Sequence, residues 1–416
     1  MGSLLPTVPV PACRLEDYVE VVGEDALDRL NDAAKAIAGA RILHVNSTAF
    51  GGGVAELLIT QVAMLNALGI ETAWQVIEGN DAFFTVTKFV HNGLQGAEVP
   101  WTPEMVSTYE EQCVANAEGL AEGYDFVVIH DPQPAGTLRV IEDQGKRRGT
   151  WIWRCHLDLS ESFSPVLSYL ATHVDSYDGA VFTMEEFIPE GLSRPRIFII
   201  PPSIDPLSAK NQWMDPETVY EIIHRFGVQW NRPIATQVSR FDPAKDPLGV
   251  IDAYRLAKLE IPDLQLVMIA AMAHDDPEAW HYLEVTERHR ASDPDIFLLS
   301  NVQGVGNLEV NAFQRESTLV LQKSLREGFG LTVSEALWKG TPVIGGKVGG
   351  IRLQIEDGQS GFLVSTVEDC AERMVRLLGD PDGRARMGAR GHDLVKDRFL
   401  TFRELNDFLA MLASFV

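Results

Sequence analysis

Two glutamates and two glycines in one short segment have the types and spacing that chemistry would need. The segment is Arg326–Glu335 (REGFGLTVSE), which follows one predicted strand and opens a predicted helix. A glycine-containing loop that runs into a helix leaves backbone N–H groups unpaired, and the helix dipole favours an anion there. Glu327 precedes the loop, and Glu335 lies one turn inside the helix, where it could accept from ribose hydroxyls. The pattern predicts a nucleotide-sugar site; the alternative is an ordinary glycine-rich turn with solvated glutamates.

A second segment brings two cations to a predicted strand end. Arg240 and Lys245 (RFDPAK) directly follow the strand predicted at Ile234–Val238. The formal net charge of the chain is −24, so any anionic ligand needs a local group of cations. Two cations at a strand end could neutralise a diphosphate. The alternative is an exposed, salt-bridged turn.

The first half of the chain offers a glycine loop and a histidine. Gly51–Gly53, followed by Glu56, lies between a predicted strand and a predicted helix, and glycine lets a backbone approach a ligand closely. The loop lacks both the GxGxxG spacing and the Lys-Ser/Thr of a P-loop, which argues against a dinucleotide or Walker-type site. His156 and Asp158 (HLDLS) follow another predicted strand. The histidine could donate to a phosphate or sugar oxygen, although a lone histidine is also compatible with a structural role.

Metal ligands and disulfides are not expected. The four cysteines are far apart in the sequence and form no CxxC pair, which rules out a disulfide scaffold and a Cys-rich zinc site. Two acidic strings, Asp293–Asp295 and Asp380–Asp382, each contain a proline and are predicted to be surface turns. The string His274–Asp276 precedes Pro277, which favours a turn or a helix start.

Short apolar runs separated by longer amphipathic stretches predict a parallel, doubly wound α/β sheet in each half of the chain. The predicted strands are Arg41–Val45, Thr72–Ile77, Phe126–Ile129, Trp151–Trp153, Ala180–Phe182, Ile197–Ile200, Ile234–Val238, Leu264–Ala271, Ile296–Leu299, Thr318–Leu321, Pro342–Ile344 and Gly361–Val364. The proline-rich stretch Pro201–Pro206 predicts the linker. We therefore expect an N-terminal Rossmann-like domain at 1–205 with a helical appendage, and a second at 206–398. A helix in 399–416 would dock back on the first domain, and the two domains would face each other across a ligand-binding cleft.

Composition excludes some partners. The excess of acidic residues disfavours nucleic acid and anionic lipid, because phosphate binding needs a basic surface. No apolar run approaches the ~20 residues needed to span a bilayer, and the first residues lack the features of a signal peptide. A cytoplasmic protein is expected. The sequence leaves the oligomeric state open, a homodimer included.

Together the segments resemble the retaining group-1 (family 4) glycosyltransferases of the GT-B fold, whose signature is a pair of glutamates spaced as Glu327 and Glu335 are. Further strings, over nearly the whole chain, are similar to the trehalose glycosyltransferring synthase family. They are HVNST-FGGGVAE (44–56), VIEGND-FF-VTK (76–88), HDPQPA (130–135), WIWRCHLDLS (151–160), PPSIDPLS (201–208), RFDP-K (240–245), MAHDDPE-W (272–280) and REGFGLTVSEALWKG (326–340).

This resemblance implies a reaction. A nucleoside diphosphate glucose (ADP-, UDP- or GDP-glucose) would donate its glucosyl group to free D-glucose and give α,α-trehalose and the nucleoside diphosphate, with reversibility left open. No cofactor and no metal would be required, because two cations can do the work of a divalent ion. The sequence shows no nucleophilic carboxylate paired with an acid, so front-face attack is favoured over double displacement.

The resemblance also implies site residues. The catalytic residues would be His156, Arg240, Lys245 and Glu327. The donor-binding residues would be Gly52, Gly53, Arg240, Lys245, Asn301, Val302, Glu327, Gly328, Phe329, Gly330, Leu331, Thr332 and Glu335. The acceptor-binding residues would be Glu56, His156 and Asp158. Arg240 and Lys245 would hold the diphosphate, Glu335 the ribose and Glu327 the transferred glucose, while Asn301 and Val302 are placed at the base pocket from their position after a strand.

Three residues depart from the family pattern: Ala244 replaces a bulky aromatic, Asp246 a glycine and Lys323 an apolar residue. An anion beside Lys245 could weaken the hold on phosphate. The alternatives are a trehalose phosphorylase, whose relatives are considerably longer, a group-1 transferase with another sugar acceptor, and, last, a non-catalytic sugar-nucleotide-binding protein.

Overall fold

Parallel sheets form the framework of both halves of the chain. The computed structural model describes residues 4–272 and 277–416. They divide into one unit of Met1–Pro202 with Thr401–Val416 and a second unit of Ser203–Leu400. These divisions fall within three residues of the predicted boundaries after 205 and 398. The string His274–Asp276 lies outside the described residues.

The first unit contains a six-stranded sheet in the order β2-β1-β3-β4-β5-β6, with every neighbouring pair parallel. Its strands are β1 (Arg41–Asn46), β2 (Glu71–Val76), β3 (Phe126–His130), β4 (Thr150–Arg154), β5 (Gly179–Phe182) and β6 (Arg196–Ile199). The order reverses between β1 and β3. In an open parallel sheet, ligands bind outside the carboxyl ends of the strands at such a reversal.

The second unit contains another parallel six-stranded sheet, in the order β12-β11-β10-β7-β8-β9. Its strands are β7 (Ile234–Val238), β8 (Gln265–Ala270), β9 (Ile296–Ser300), β10 (Leu319–Gln322), β11 (Val343–Gly346) and β12 (Gly361–Val364). This is the Rossmann order, and it reverses between β7 and β10. The predicted α/β, doubly wound fold class is confirmed, and each predicted strand lies within two residues of an observed one at either end.

Helices connect the strands. They are α1 (Val19–Val22), α2 (Glu24–Lys35), α3 (Gly53–Ala67), α4 (Asp81–Leu94), α5 (Pro103–Gly119), α6 (Thr137–Asp143), α7 (Ser164–Val174), α8 (Pro216–Arg225), α9 (Pro247–Lys258), α10 (Pro277–Arg290), α11 (Asn307–Glu316), α12 (Leu331–Trp338), α13 (Ile351–Gln354), α14 (Val367–Gly379), α15 (Pro381–Arg398) and α16 (Thr401–Ala413). Several begin at a polar cap: the side chains of Asn80, Asp215 and Thr366 accept from the third N–H of α4, α8 and α14. Such a cap stabilises a helix by about 1 kcal/mol.

Apolar side chains cover both faces of the second sheet, which explains its uninterrupted apolar strands. Tyr254 of α9 and Met374 of α14 pack with Met268 on one face. Ile223 of α8 and Phe313 of α11 pack against the other face, in a separate cluster. Strands buried on both sides have no polar alternation, so apolar runs alone locate them.

The last helix belongs to the first unit. Phe408, Leu409 and Leu412 of α16 are buried, and α16 packs on α2 and α3. Glu404 of the same helix pairs with the buried guanidinium of Arg154, at the end of β4. This pair ties α16 to the strand that precedes His156. Across the described ranges, 4–272 and 277–416, no helix is long and apolar enough to cross a membrane.

Candidate active site

The loops after β7 and β10, the two strands at the reversal point of the second sheet, are joined by hydrogen bonds. The N–H of Leu325 donates to the carbonyl of Ala244 at 2.7 Å. The side chain of Gln237, on β7, donates to the carbonyl of Lys245 at 2.9 Å, and the hydroxyl of Thr332 donates to the carbonyl of Val238 at 3.1 Å. These bonds hold the two predicted donor-binding segments side by side.

Lys245 and Glu327 form a buried ion pair in these loops. The Lys245 ammonium lies 2.7 Å from Glu327 Oε2, and the two side chains are 15% and 11% exposed. Gln322 Nε2 and Ser324 Oγ also donate to that oxygen, each at 3.0 Å. Burial raises the pKa of Glu327, but the positive charge of Lys245 and these hydrogen bonds outweigh it and leave the pKa below its ordinary value. The carboxylate is therefore ionised at neutral pH.

This arrangement leaves ligand-binding capacity on both partners. All three bonds to the Glu327 carboxylate end on Oε2, and among residues 4–272 and 277–416 Oε1 has no such partner. An ammonium has three N–H donors, of which one contacts Glu327. Oε1 can accept from a sugar hydroxyl, and the remaining N–H groups of Lys245 can donate to a phosphate.

The loop from Gly328 to Gly330 is shaped by close backbone contacts. Gly330 has φ +84°, a conformation that glycine adopts without strain, and α12 begins immediately after it. A Cβ built on Gly350 would lie 2.5 Å from the carbonyl oxygen of Gly328, so only glycine fits beneath the loop. The Gln354 side chain donates to the carbonyl of Phe329 at 2.6 Å. Because this bond engages the Phe329 carbonyl, that carbonyl does not face the helix N-terminus. The backbone N–H groups of Leu331 and Thr332, in the first turn of α12, can therefore bind an anion.

Glu335 has different surroundings from Glu327. It is buried one turn inside α12, where Gln314 Nε2 donates to Oε2 at 3.1 Å and the ammonium of Lys210 lies 3.4 Å from Oε1. Lys339 donates to the Glu335 carbonyl at 3.0 Å, and burial lowers the pKa of that lysine to about 7. The two predicted glutamates thus occupy separate polar environments, although both follow β10.

The two charged departures from the family pattern pair with each other. Asp246 caps α9 by accepting from the N–H of Gly249 at 3.1 Å, and it has φ +48°. Its carboxylate forms an ion pair with Lys323, whose side chain is 6% exposed. Lys323 thereby neutralises the anion that would otherwise weaken the effect of Lys245.

Arg240 follows β7, whereas the predicted base pocket, Asn301 and Val302, follows β9. The guanidinium of Arg240 is 43% exposed and lies 3.0 Å from a carboxylate oxygen of Asp242. Asn301 uses its side-chain amide on the backbone of Met272, accepting at 2.7 Å and donating at 2.9 Å, which braces the ends of β8 and β9. Val302 is 63% exposed. Base recognition at Asn301 and Val302 stays a prediction.

In the first unit, the predicted glycine loop is open. Gly52 precedes α3, and a Cβ built on Gly51 or Gly52 would meet no atom within 4 Å. Gly51 has φ +79°, which by itself favours glycine, whereas neither a positive φ nor a neighbouring atom accounts for Gly52. Glu56 is exposed in the first turn of α3. Asp158 is buried, and its carboxylate accepts from the N–H and hydroxyl of Ser160 at 3.0 and 2.5 Å.

His156 stands at the end of a chain of three histidines that the sequence analysis missed. His156 Nε2 lies 3.0 Å from His130 Nδ1, and His130 Nε2 lies 3.0 Å from His44 Nδ1. The backbone N–H of His156 donates to the carboxylate of Asp131 at 2.8 Å. Burial raises the pKa of Asp131 to about 7. The available signal was the position of His130 at the carboxyl end of β3, beside the strand that leads to His156.

Metal ligands do not cluster in these loops. Within residues 4–272 and 277–416, no group of three or more histidine, cysteine or acidic side chains could hold a metal ion.

Comparison with known proteins first defines the class. Residues 221–393 match the family model described as Glycosyl transferases group 1. A solved trehalose-6-phosphate synthase, OtsA, superposes with a TM-score of 0.74 over 91% of this chain and 100% of the other, at 15% sequence identity, which shows the fold alone. The protein is a group-1 glycosyltransferase with the GT-B fold.

The family follows from closer relatives. Residues 44–189 match the model described as Trehalose synthase, N-terminal domain. Proteins named trehalose synthase from Rubrobacter xylanophilus and Thermococcus litoralis are 47% and 46% identical to this chain over 404 residues, covering 96% and 97% of each sequence. The chain belongs to the trehalose synthase family, and it is a trehalose-related glycosyltransferase. The family predicted from its motifs is confirmed.

A second group of relatives is more distant. A trehalose phosphorylase from Pleurotus pulmonarius is 30% identical over 448 residues; the match covers 95% of this chain but 57% of the phosphorylase. The chain therefore spans little more than half the length of that enzyme.

Proposed function

We propose that the protein is a retaining glucosyltransferase that makes α,α-trehalose from a nucleoside diphosphate glucose and D-glucose. The observation that supports this most is the Lys245–Glu327 pair at the reversal point of the second sheet. It places an ammonium and an ionised carboxylate 2.7 Å apart. Those are the groups that a diphosphate and a sugar hydroxyl would need side by side.

In the proposed reaction, the bond between the anomeric carbon and the diphosphate oxygen breaks, and its electron pair leaves with the diphosphate. The anomeric hydroxyl of the acceptor glucose forms the new C–O bond on the same face. Its proton passes to the departing phosphate oxygen, so that trehalose and a nucleoside diphosphate result. Lys245 and Arg240 stabilise the negative charge that develops on the leaving group.

Several of the remaining predicted residues have one role each in this scheme. Glu327 Oε1 accepts from a hydroxyl of the transferred glucose, and Glu335 binds the ribose. His156 donates to a sugar oxygen, and Glu56 and Asp158 bind the acceptor. The amides around Gly330 assist at the phosphates, and the two cations replace a divalent metal ion.

The acceptor is proposed to be free glucose rather than a sugar phosphate. A phosphorylated acceptor would need cations near the glycine loop of the first unit. The loop instead carries Ala49, Phe50 and Val54, and Phe50 is 82% exposed. These side chains offer no charge to a phosphate.

An endpoint assay tests the proposal. Purified protein is incubated with glucose and, in separate tubes, ADP-, UDP- or GDP-glucose or glucose-1-phosphate, and the products are analysed for trehalose and released nucleotide. Trehalose with one equivalent of nucleoside diphosphate, from nucleotide donors alone, is expected. Trehalose from glucose-1-phosphate would identify a phosphorylase. Nucleotide release without trehalose would support the donor but not the acceptor, and no reaction in any tube would favour a binding protein.

A further inference from the structure

The three histidines of the first unit form one directional hydrogen-bonded chain. His44 comes from β1, His130 from the end of β3 and His156 from the loop after β4, so three neighbouring strands contribute one ring each. Both contacts run from Nδ1 of one ring to Nε2 of the next, at 3.0 Å. His44 and His130 are 0% and 1% exposed, whereas His156 is partly exposed. The histidine chain therefore leads from the core to the predicted site.

Proton counting allows two arrangements. A neutral imidazole has one N–H donor and one acceptor nitrogen, and each of the two contacts needs one proton. Either every ring is protonated on Nδ1, which leaves His156 with an outer Nδ1–H, or every ring is protonated on Nε2, which leaves His44 with a buried Nε2–H. Any other neutral arrangement places two protons or two lone pairs against each other.

The inner end of the chain distinguishes the two arrangements. Among the described residues, His44 Nε2 has no hydrogen-bond partner. The ring lies against Phe408 of α16, with centroids 5.7 Å apart. Among backbone groups, buried N–H donors without a partner are rarer than buried acceptors without one, and we apply the same preference to the imidazole ring. This favours the arrangement in which His44 Nε2 carries no proton.

We infer that His44 and His130 are positioning residues that hold His156 in its Nδ1–H tautomer, so that His156 is a hydrogen-bond donor and not a base. The histidine chain ends at His44, where no group among the described residues bonds to Nε2 to supply or remove a proton. It therefore fixes a tautomer and does not conduct protons. The tautomer itself follows from the contacts of the protein, whereas the ligand of the Nδ1–H, a sugar or phosphate oxygen, rests on the proposed function.

Burial and the nearby charge keep the three histidine rings neutral. Burial lowers the pKa of His44 to about 3, and burial also lowers those of His130 and His156. The guanidinium of Arg154 opposes protonation of all three rings. Its charge is balanced by Glu404 on α16. The proton count for neutral rings therefore applies at neutral pH.

Nitrogen NMR of the unaltered protein gives the first test. The protein is labelled with ¹⁵N-histidine, and spectra that correlate ring carbon-bound protons with both ring nitrogens distinguish Nδ1–H, Nε2–H and protonated rings. Of the ten histidines, His156 is assigned by the signal that disappears in His156→Gln. We expect His156 to be a neutral Nδ1–H tautomer at neutral pH. An Nε2–H tautomer or a protonated ring would overturn the inference.

Variants of His130 and His44 test the histidine chain. In His130→Phe, His156 Nε2 loses its ring partner, so the His156 signal should change from one tautomer to a mixture. Turnover should fall about two- to fivefold, in proportion to the molecules that retain the Nδ1–H. In His44→Asn the amide can either donate to His130 Nε2 or accept from it, so the preference of His156 for one tautomer should weaken as well. If His156 keeps a pure Nδ1–H signal in both variants, the two histidines have no such role.

His173→Phe is the matched control. His173 is another buried histidine of the first unit, and its ring nitrogens have no partner among the described residues. Its replacement should leave the tautomer of His156 and turnover unchanged. Because the NMR readout needs no substrate, a protein that makes no trehalose but shows the expected tautomer contradicts the proposed function alone. If neither His130→Phe nor His44→Asn folds, the spectrum of the unaltered protein still decides.

Discussion

The loops at the carboxyl ends of the two sheets differ in how they hold polar groups. In the second unit, opposite charges meet directly, as Lys245 with Glu327 and as Lys323 with Asp246. In the first unit, the corresponding loops hold His156 in a chain of neutral rings. One set of loops is built to keep carboxylates ionised, and the other is built to keep imidazoles uncharged.

This difference matches the two halves of the proposed reaction. A departing diphosphate develops negative charge, which fixed cations stabilise. A sugar hydroxyl develops little charge, so a neutral donor of fixed orientation suffices to bind it. Asp131 and Glu327 also differ in the direction of their pKa shifts. Burial raises the pKa of Asp131, whereas at Glu327 burial is outweighed by the charge of Lys245 and the hydrogen bonds together, which lower the pKa.

Lys245→Ala should have the largest effect on the second unit. It leaves Glu327 as a buried, unpaired carboxylate, which costs about 3–5 kcal/mol of unfolding free energy. Turnover should fall at least about tenfold, equal to ~1.4 kcal/mol of transition-state stabilisation. Thermal unfolding and kcat/KM with the preferred donor measure both. The control is Lys396→Ala, which removes an exposed lysine on α15. Near-native turnover in Lys245→Ala would mean that the donor is placed wrongly.

Glu327→Gln tests the carboxylate without removing its shape. Turnover should again fall at least about tenfold, because an amide accepts more weakly than a carboxylate. Since the pKa of Glu327 lies below its ordinary 4.5, its ionised form stabilises the fold above pH 4.5, and this stabilisation is lost as the pH falls through the lowered pKa. Urea unfolding of both proteins on either side of that pH should show the wild-type advantage shrinking in acid. A constant difference would contradict the assignment.

The Lys323–Asp246 pair separates stability from donor binding. Lys323→Met leaves the Asp246 carboxylate unbalanced near Lys245, so KM for the donor should rise about threefold and the fold should lose a few kcal/mol. Adding Asp246→Asn removes the unbalanced charge and should recover most of both losses. Kinetics and thermal unfolding of the single and double variants form the test. Additive losses in the double variant would show that the two residues act independently.

Asp131→Asn tests the opposite pKa shift in the first unit. The folded-state pKa of Asp131 is about 7, above its ordinary 3.8, so its protonated form stabilises the fold at low pH and that contribution is lost as the pH rises through about 7. The asparagine variant should lack this decline. The unfolding free energies of the two proteins are measured at several pH values between 3.8 and about 7 and compared. If the unfolding free energies of the two proteins change with pH in parallel, Asp131 is ionised in the folded protein over this range.

Chelation should have no effect. If Arg240 and Lys245 supply the positive charge, turnover after treatment with EDTA and removal of the chelator should equal that of untreated protein. Initial rates with and without added Mg²⁺ are compared. A loss that a divalent cation restores would show that the two cations are insufficient.

Much of the framework could be predicted from the sequence, because strands buried on both faces are apolar throughout. The run at Phe126–Ile129 is one example, and its strand β3 is buried at every position. The strand order could not be read in the same way, since it depends on which apolar edges meet in space. The reversal points between β1 and β3 and between β7 and β10 appear only in the structure.

The site was predictable where it lies within one loop and not where it joins distant loops. Lys245 and Glu327 were each placed at a strand end, but their pairing across 82 positions depends on the adjacency of β7 and β10. His44 gave no separate signal, because a single buried histidine within a strand is indistinguishable from a core residue, whereas the position of His130 at the end of β3 was an available signal. Asp246 and Lys323 each looked unfavourable alone, and only the structure shows that they neutralise each other.

The most direct test of the proposed reaction follows an isotopic label. The preferred nucleoside diphosphate glucose, labelled with ¹³C at the anomeric carbon of glucose, is incubated with unlabelled D-glucose, and the product is analysed by NMR. We predict α,α-trehalose with one labelled α-anomeric carbon and one equivalent of released nucleoside diphosphate. A β-linked product, a label found only in free glucose, or trehalose formed without nucleotide release would contradict the proposal.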